Sequence, residues 1–190
     1  MTNHVPADDS LSDQELFEQV ILFYRERLKD YAPAQVYLQE RGLTDPELID
    51  SFEIGFADRA LSRALPKPQL VAGNRLRGRL QQLGIYRPTG HGHFNGCITV
   101  PIRALDGQVA DLYGRKICRH LLRRTERHMS LPAERRGVLG ASALQATDEV
   151  ILCGSVVDAL TFWSAGLRNV TASYGVDGLT DEHLEALKTF

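Results

Sequence analysis

The chain has 190 residues, 43% of them hydrophobic and 24% charged, with a formal net charge of -2. That is enough apolar material for one large or two small cores, which excludes a chain disordered throughout. No run of about 18 apolar residues occurs, and Met1 to Ser10 is polar and acidic where a secretory leader needs a basic start, so a soluble cytoplasmic protein is expected.

Ser12 followed by Glu15 is a capping box, and Leu16, Phe17, Val20, Ile21, Tyr24 and Leu28 then recur at helical spacing, so residues 1–30 are read as an N-terminal amphipathic helix unit. Pro33 opens a short second helix that stops at Gly42. Thr44 and Glu47 predict a cap for a third helix around Leu48 and Ile49. Phe52-Glu53-Ile54-Gly55-Phe56 alternates as a strand does. Leu65 to Asn74, with two prolines and a glycine, predicts a loop before a helix over Leu76 to Leu83.

Asp106-Gly107 between Ile98–Ile102 and Val109–Tyr113 predicts a hairpin, and Pro101 requires its strand to be an edge or bulged. Val150 to Cys153 is a continuous apolar run of the kind found in buried parallel strands. A helix from Ser155 to Ala165, a strand over Asn169 to Ser173 and a helix behind the Thr180-x-x-His183 cap complete a βαβα pattern.

Cys97, Cys118 and Cys153 are odd in number and widely spaced, so neither a disulfide framework nor a zinc ribbon is indicated. His91, His93, Cys97, Cys118 and His120 are the residues a mixed site would use, but glycine- and histidine-rich loops are commoner than such ligand sets, and no zinc is expected. The charge is segregated. Arg115, Lys116, Arg119, Arg123, Arg124, Arg127, Arg135 and Arg136 stand against only Glu126 and Glu134 in that stretch. Local fields of this kind, more than net charge, steer a polyanion, so the stretch is either a solvated face or a nucleic-acid contact.

Several motifs also match one family in order. Tyr37-Leu38-Gln39-Glu40-Arg41-Gly42-Leu43 followed by Phe52 to Phe56 resembles the opening of the DnaG-type bacterial primase core. Phe94-Asn95-Gly96, Ile98 to Ile102, Asp106-Gly107 and Tyr113-Gly114-Arg115 resemble its next segment, and His128-Met129-Ser130-Leu131-Pro132 stands where that family has a Lys-Tyr-Leu-Asn-Ser-Pro run. Val150 to Cys153, Asp158-Ala159-Leu160, Ala165-Gly166 and Ala172-Ser173-Tyr174-Gly175 are similar to the start of a Toprim domain, nearest to the divergent primase-like proteins of mobile elements.

The resemblance, which spans about residues 32 to 190, implies an α/β fold: an α+β primase lobe over 31–146, then the first βαβα part of a Rossmann-like Toprim domain over 147–190. It implies RNA primer synthesis on a single-stranded DNA template, with a helicase or another replication protein as partner and Mg2+ as the family's cofactor. The family's metal-binding glutamate falls at Cys153 or Gly154, neither of them an acid, and its aspartate pair falls past Phe190, so this chain is expected neither to bind the metal nor to catalyse alone. Asp158 matches the accompanying acid of the family, although a carboxylate in a first helical turn is favourable in itself. Arg127 stands for the family's lysine, exchanging a compact ammonium for a planar fork. These two are the candidate catalytic positions, and Arg115, Lys116, Arg119, Arg123, Arg124 and Arg127 the candidate nucleic-acid contacts, with Arg115 foremost. The alternative is a non-catalytic module that docks on DNA or on a protein partner of a mobile element.

Overall fold

The computed structural model describes residues 10–118, 126–144, 148–175 and 178–188. Its first helix, α1 (Asp13–Asp30), starts at the expected capping box: the Ser12 hydroxyl accepts from Glu15 N at 3.2 Å and the Glu15 carboxylate accepts from Ser12 N at 2.7 Å. This satisfies two amides that the helix itself leaves free. Pro33 sits in the first turn of α2 (Ala32–Gln39). In α3 (Pro46–Ser51) the cap is Asp45, whose carboxylate accepts from Glu47 N at 2.9 Å, and not Thr44. Pro46 is the reason, because its fixed φ and absent N–H suit it to the first helical position and push the cap to the residue before it.

The expected strand at Phe52 is delayed. Phe52 caps α3 and Glu53 turns the chain at φ 49, so β1 is only Gly55–Ala57. Phe52 and Ile54 are buried on either side of that turn, an apolar spacing that a strand would share. A Cβ on Gly55 would lie 2.8 Å from Tyr24 backbone and Cβ atoms, so only glycine lets β1 run against α1 at this distance. After α4 (Ala60–Ala64), α5 (Val71–Gln82) begins five residues ahead of the expected Leu76. Arg77 explains how the proline-rich approach is tolerated: its guanidinium donates to Ser62 O at 3.0 Å and to Pro66 O, taking up carbonyls the loop leaves over.

The hairpin forms as expected from β2 (Cys97–Arg103) and β3 (Val109–Lys116), and β4 (His128–Met129) completes an antiparallel sheet in the order β1-β2-β3-β4. Pro101 is tolerated in the interior strand because β1 pairs only with Cys97 to Thr99, and a register shift follows at Ile102 and Arg103. Behind the short α6 (Ala141–Leu144), β5 (Ile151–Cys153), α7 (Val156–Ser164), β6 (Val170–Ala172) and α8 (Asp181–Leu187) make the βαβα unit, with β5 and β6 parallel. Thr180 caps α8 together with His183 as expected.

The four-stranded sheet has a core on each face. On one, Leu16, Val20, Leu76, Leu80, Phe94, Cys97 and Leu112 pack together. On the other, Ile98, Val100 and Tyr113 meet Leu38, Leu48, Phe52 and the βαβα residues Cys153, Leu160, Trp163 and Val170. Phe52 meets Trp163 edge to face with centroids 5.7 Å apart, joining α3 to α7. Among the described residues no helix is long and apolar enough to cross a membrane.

Candidate nucleic-acid interface

Strand alternation decides which residues of β3 share a site. Asp111, Tyr113 and Arg115 project to the face that carries the βαβα unit, whereas Leu112, Gly114 and Lys116 project to the other. A groove of about 650 Å³ opens beside Arg115, lined by Tyr31, Tyr37 and Arg41 on the α2 side and by Arg115, Lys116 and Arg127 on the sheet side. The Arg41 guanidinium lies over the Tyr37 ring at 3.8 Å from its centroid.

Arg115 is held from two directions. Its Nε donates to the Tyr37 hydroxyl at 3.2 Å and its Nη1 meets His128 Nε2. A guanidinium can only donate, so Nε2 of His128 accepts, the ring proton sits on Nδ1, and Nδ1 donates to the Tyr113 hydroxyl at 2.8 Å. Withdrawal of the ring from water, and then the Arg115 charge, hold the His128 pKa below its ordinary value, which keeps this tautomer neutral. The fork is therefore held at the groove that it lines. Fixing the rotamer beforehand lowers the cost of binding a phosphate.

Arg127 is exposed and lines the same groove. Lys116 leaves β3 on the opposite side from Arg115 and reaches the edge of the groove, where its Nζ donates to Asn95 O at 3.0 Å. Asp158 is placed in the α7 cap: its Oδ2 accepts from the Ser155 hydroxyl at 2.7 Å, and its amide donates back to Ser155 Oγ at 3.2 Å. Arg119, Arg123, Arg124 and His120 lie outside the described residues. Tyr37, Arg41, His128 and Tyr113 complete the site although sequence reasoning gave them no role in it. Arg41 lies in the turn beyond the end of α2, so helical spacing did not signal its pairing with Tyr37.

Among the described residues no three His, Cys, Asp or Glu side chains converge in a way that could hold a metal ion. Burial raises the Cys153 thiol and pushes Cys97 up to about 11, so both stay protonated, and Cys97 sits in the core against the Met129 sulfur. A Cβ at Gly154 would meet no atom within 4 Å, so room is not what keeps a larger residue out.

Asp111 shares the Arg115 face of β3. Its Oδ1 accepts from Leu112 N at 2.6 Å and Leu131 N at 2.9 Å, while Oδ2 is buried with no hydrogen-bond partner among the described residues. Burial raises its pKa to about 6 from the usual 3.8. The folded chain thus holds this proton more tightly than the unfolded chain, so the contribution of Asp111 to stability falls as pH rises between those values. Asp111→Asn keeps Oδ1 and removes the charge. Relative to the parent, its stability is expected to rise by about 2–3 kcal/mol from about pH 4 to neutral pH, because it lacks the ionisation that costs the parent stability over that range. Urea unfolding of both proteins across that range checks this; parallel curves would mean that Asp111 ionises as it does in water.

No family model matches the chain. A DNA primase from Haemophilus influenzae is 33% identical over 105 residues, which cover 53% of this chain and 17% of that protein. A structure of the DnaG catalytic core superposes with a TM-score of 0.75 at 24% identity, covering 93% of this chain and 58% of that one. A DnaG primase catalytic domain bound to ssDNA superposes with a TM-score of 0.72 at 24% identity, over 93% of this chain and 59% of that one. The chain thus has the fold of a DnaG catalytic core, as the motifs implied, and it matches a curated DNA primase in sequence while spanning only a minor part of that relative's length.

Proposed function

We propose that this chain is the template-holding part of a primase-like core, and that it binds single-stranded DNA in the groove between α2 and β3 without needing a divalent metal. The observation that carries the reading is the Tyr37–Arg115–His128–Tyr113 chain of contacts, which holds a guanidinium at a groove already lined by Arg41, Arg127 and two tyrosines. Forks of this kind match phosphate oxygens, and aromatic rings accept any base face, so the pair suits a strand read without sequence preference. A fold neighbour solved with ssDNA supports the same use.

Primer synthesis needs hard oxygen ligands around the reacting phosphates. Nucleotide joining is not part of this proposal. The βαβα unit is read as the start of a Toprim domain that here buttresses the groove through Trp163 and Leu160.

A titration of the chain with fluorescent single-stranded DNA over a salt series, with and without magnesium, tests this. The expected result is an affinity falling with salt at a log–log slope of about -2 to -4, as for several phosphate contacts, and no gain from magnesium at matched ionic strength. Absence of binding at about 50 mM salt would sink the proposal and leave the fold resemblance untouched.

A further inference from the structure

The groove is not the only basic concavity. On the other side of the Asn95–Gly96 turn lies a second open cleft of about 610 Å³, lined by Arg59, Ser62 and Arg63 of α4 and its cap and by His91, Gly92 and Asn95. Arg59 at the N-cap of α4 and Arg63 within that helix line the same cleft. Both are exposed, and among the described residues neither makes an ion pair. The acid next to Arg59 in sequence, Asp58, is already taken, by Arg27 at 3.1 Å.

The two clefts share a rim. Gly96 lines the first and Asn95 the second, and Lys116 donates to Asn95 O, placing its ammonium at the boundary. The charge of Arg87, like that of Lys116, is felt at His93 and Cys97 just inside this rim. Cations thus follow one another from Arg41 and Arg115, through Arg127 and Lys116, to Arg59 and Arg63. Positive charges that line two neighbouring clefts fit a flexible polyanion better than a compact anion.

We infer that the Arg59–Arg63 cleft is a second phosphate-binding segment, which takes the continuation of the single strand seated in the first groove. The inference rests on the proposed function, and the two are separable by strand length. A short strand fills one groove. A longer one reaches the second cleft and gains affinity only if that cleft binds it.

The test compares the parent chain with the Arg59→Ala/Arg63→Ala double variant on oligothymidylates of about 4 and about 24 nucleotides, over a salt series. The variant is expected to match the parent on the short strand, to lose about 10-fold on the long one, and to show a salt slope shallower by about 1.4, the value for two phosphate contacts on a single strand. Equal affinity and slope for parent and variant on the long strand, with short-strand binding intact, would overturn the second segment while leaving the first groove standing. Failure of the parent to bind either strand would overturn both. Polyglutamate of matched charge competing as well as the oligonucleotide would also overturn it, in favour of an acidic protein partner.

Discussion

Arg115→Ala is expected to weaken single-stranded DNA binding by about 10- to 100-fold at low salt, more than loss of one screened surface charge would produce. The size follows from anchoring. Tyr37 and His128 hold the fork, so alanine removes a donor that needs no ordering and also leaves the neutral His128 without the cation it accepts from. Arg115→Lys should recover part of the affinity, since an ammonium keeps the charge but lacks the planar geometry to meet both partners and a phosphate together. Arg135→Ala is the contrast. Arg135 donates to Tyr174 O at 3.3 Å and stands over the Tyr174 ring, so it ties the β6 end to the lobe, and its loss should change affinity about twofold or less. Fluorescence anisotropy of the three variants decides the matter. Equal small losses for Arg115→Ala and Arg135→Ala would mean a diffuse basic face with no groove.

Much of this was legible in the chain because the relevant signals are local. The Ser12/Glu15 and Thr180/His183 boxes and the Asp106-Gly107 turn each depend on a few adjacent residues and formed where expected. The apolar run Val150 to Cys153, by contrast, gave a parallel strand over Ile151–Cys153 with Leu152 exposed and not buried. The departures came where a distant group decided. Phe52 to Ile54 alternates like a strand, but Glu53 is held in a left-handed turn with its carboxylate on Arg103 Nε at 2.9 Å, fifty residues away. Val71 to Asn74 reads as loop until Arg77 and the buried row of Gly73, Leu76 and Leu80 are seen to continue one helix.

The site divides in the same way. Arg115 was visible from its motif, and so was the basic stretch around it. That Lys116 leaves β3 on the other side from Arg115 and meets the groove only at its edge is a consequence of strand period and needed only the correct strand limits. The parts played by Tyr37 and His128 were not visible, because contacts between residues 37, 113, 115 and 128 exist only once α2 has packed across the sheet.

The glycine before Arg115 offers the second large expected effect. A Cβ at Gly114 would lie 2.5 Å from Phe94 Cδ1 and 3.1 Å from Cε1. Phe94 has no exposed surface and is packed among Cys97, Leu112 and Met129, so the ring has nowhere to retreat. Two sequence motifs, Phe94-Asn95-Gly96 and Tyr113-Gly114-Arg115, are thus one packing contact. Gly114→Ala should cost about 2–3 kcal/mol by overpacking. It should also lower DNA affinity even though Arg115 remains, because a strand pushed off Phe94 carries Arg115 away from Tyr37 and His128. Phe94→Leu removes the ring edge that the new methyl meets. In a double-mutant cycle followed by urea unfolding, Gly114→Ala should therefore cost about 1–2 kcal/mol less in the Phe94→Leu background than in the parent. Additive costs would show that the clash with Phe94 is not why glycine is required, and would detach the two motifs from each other again.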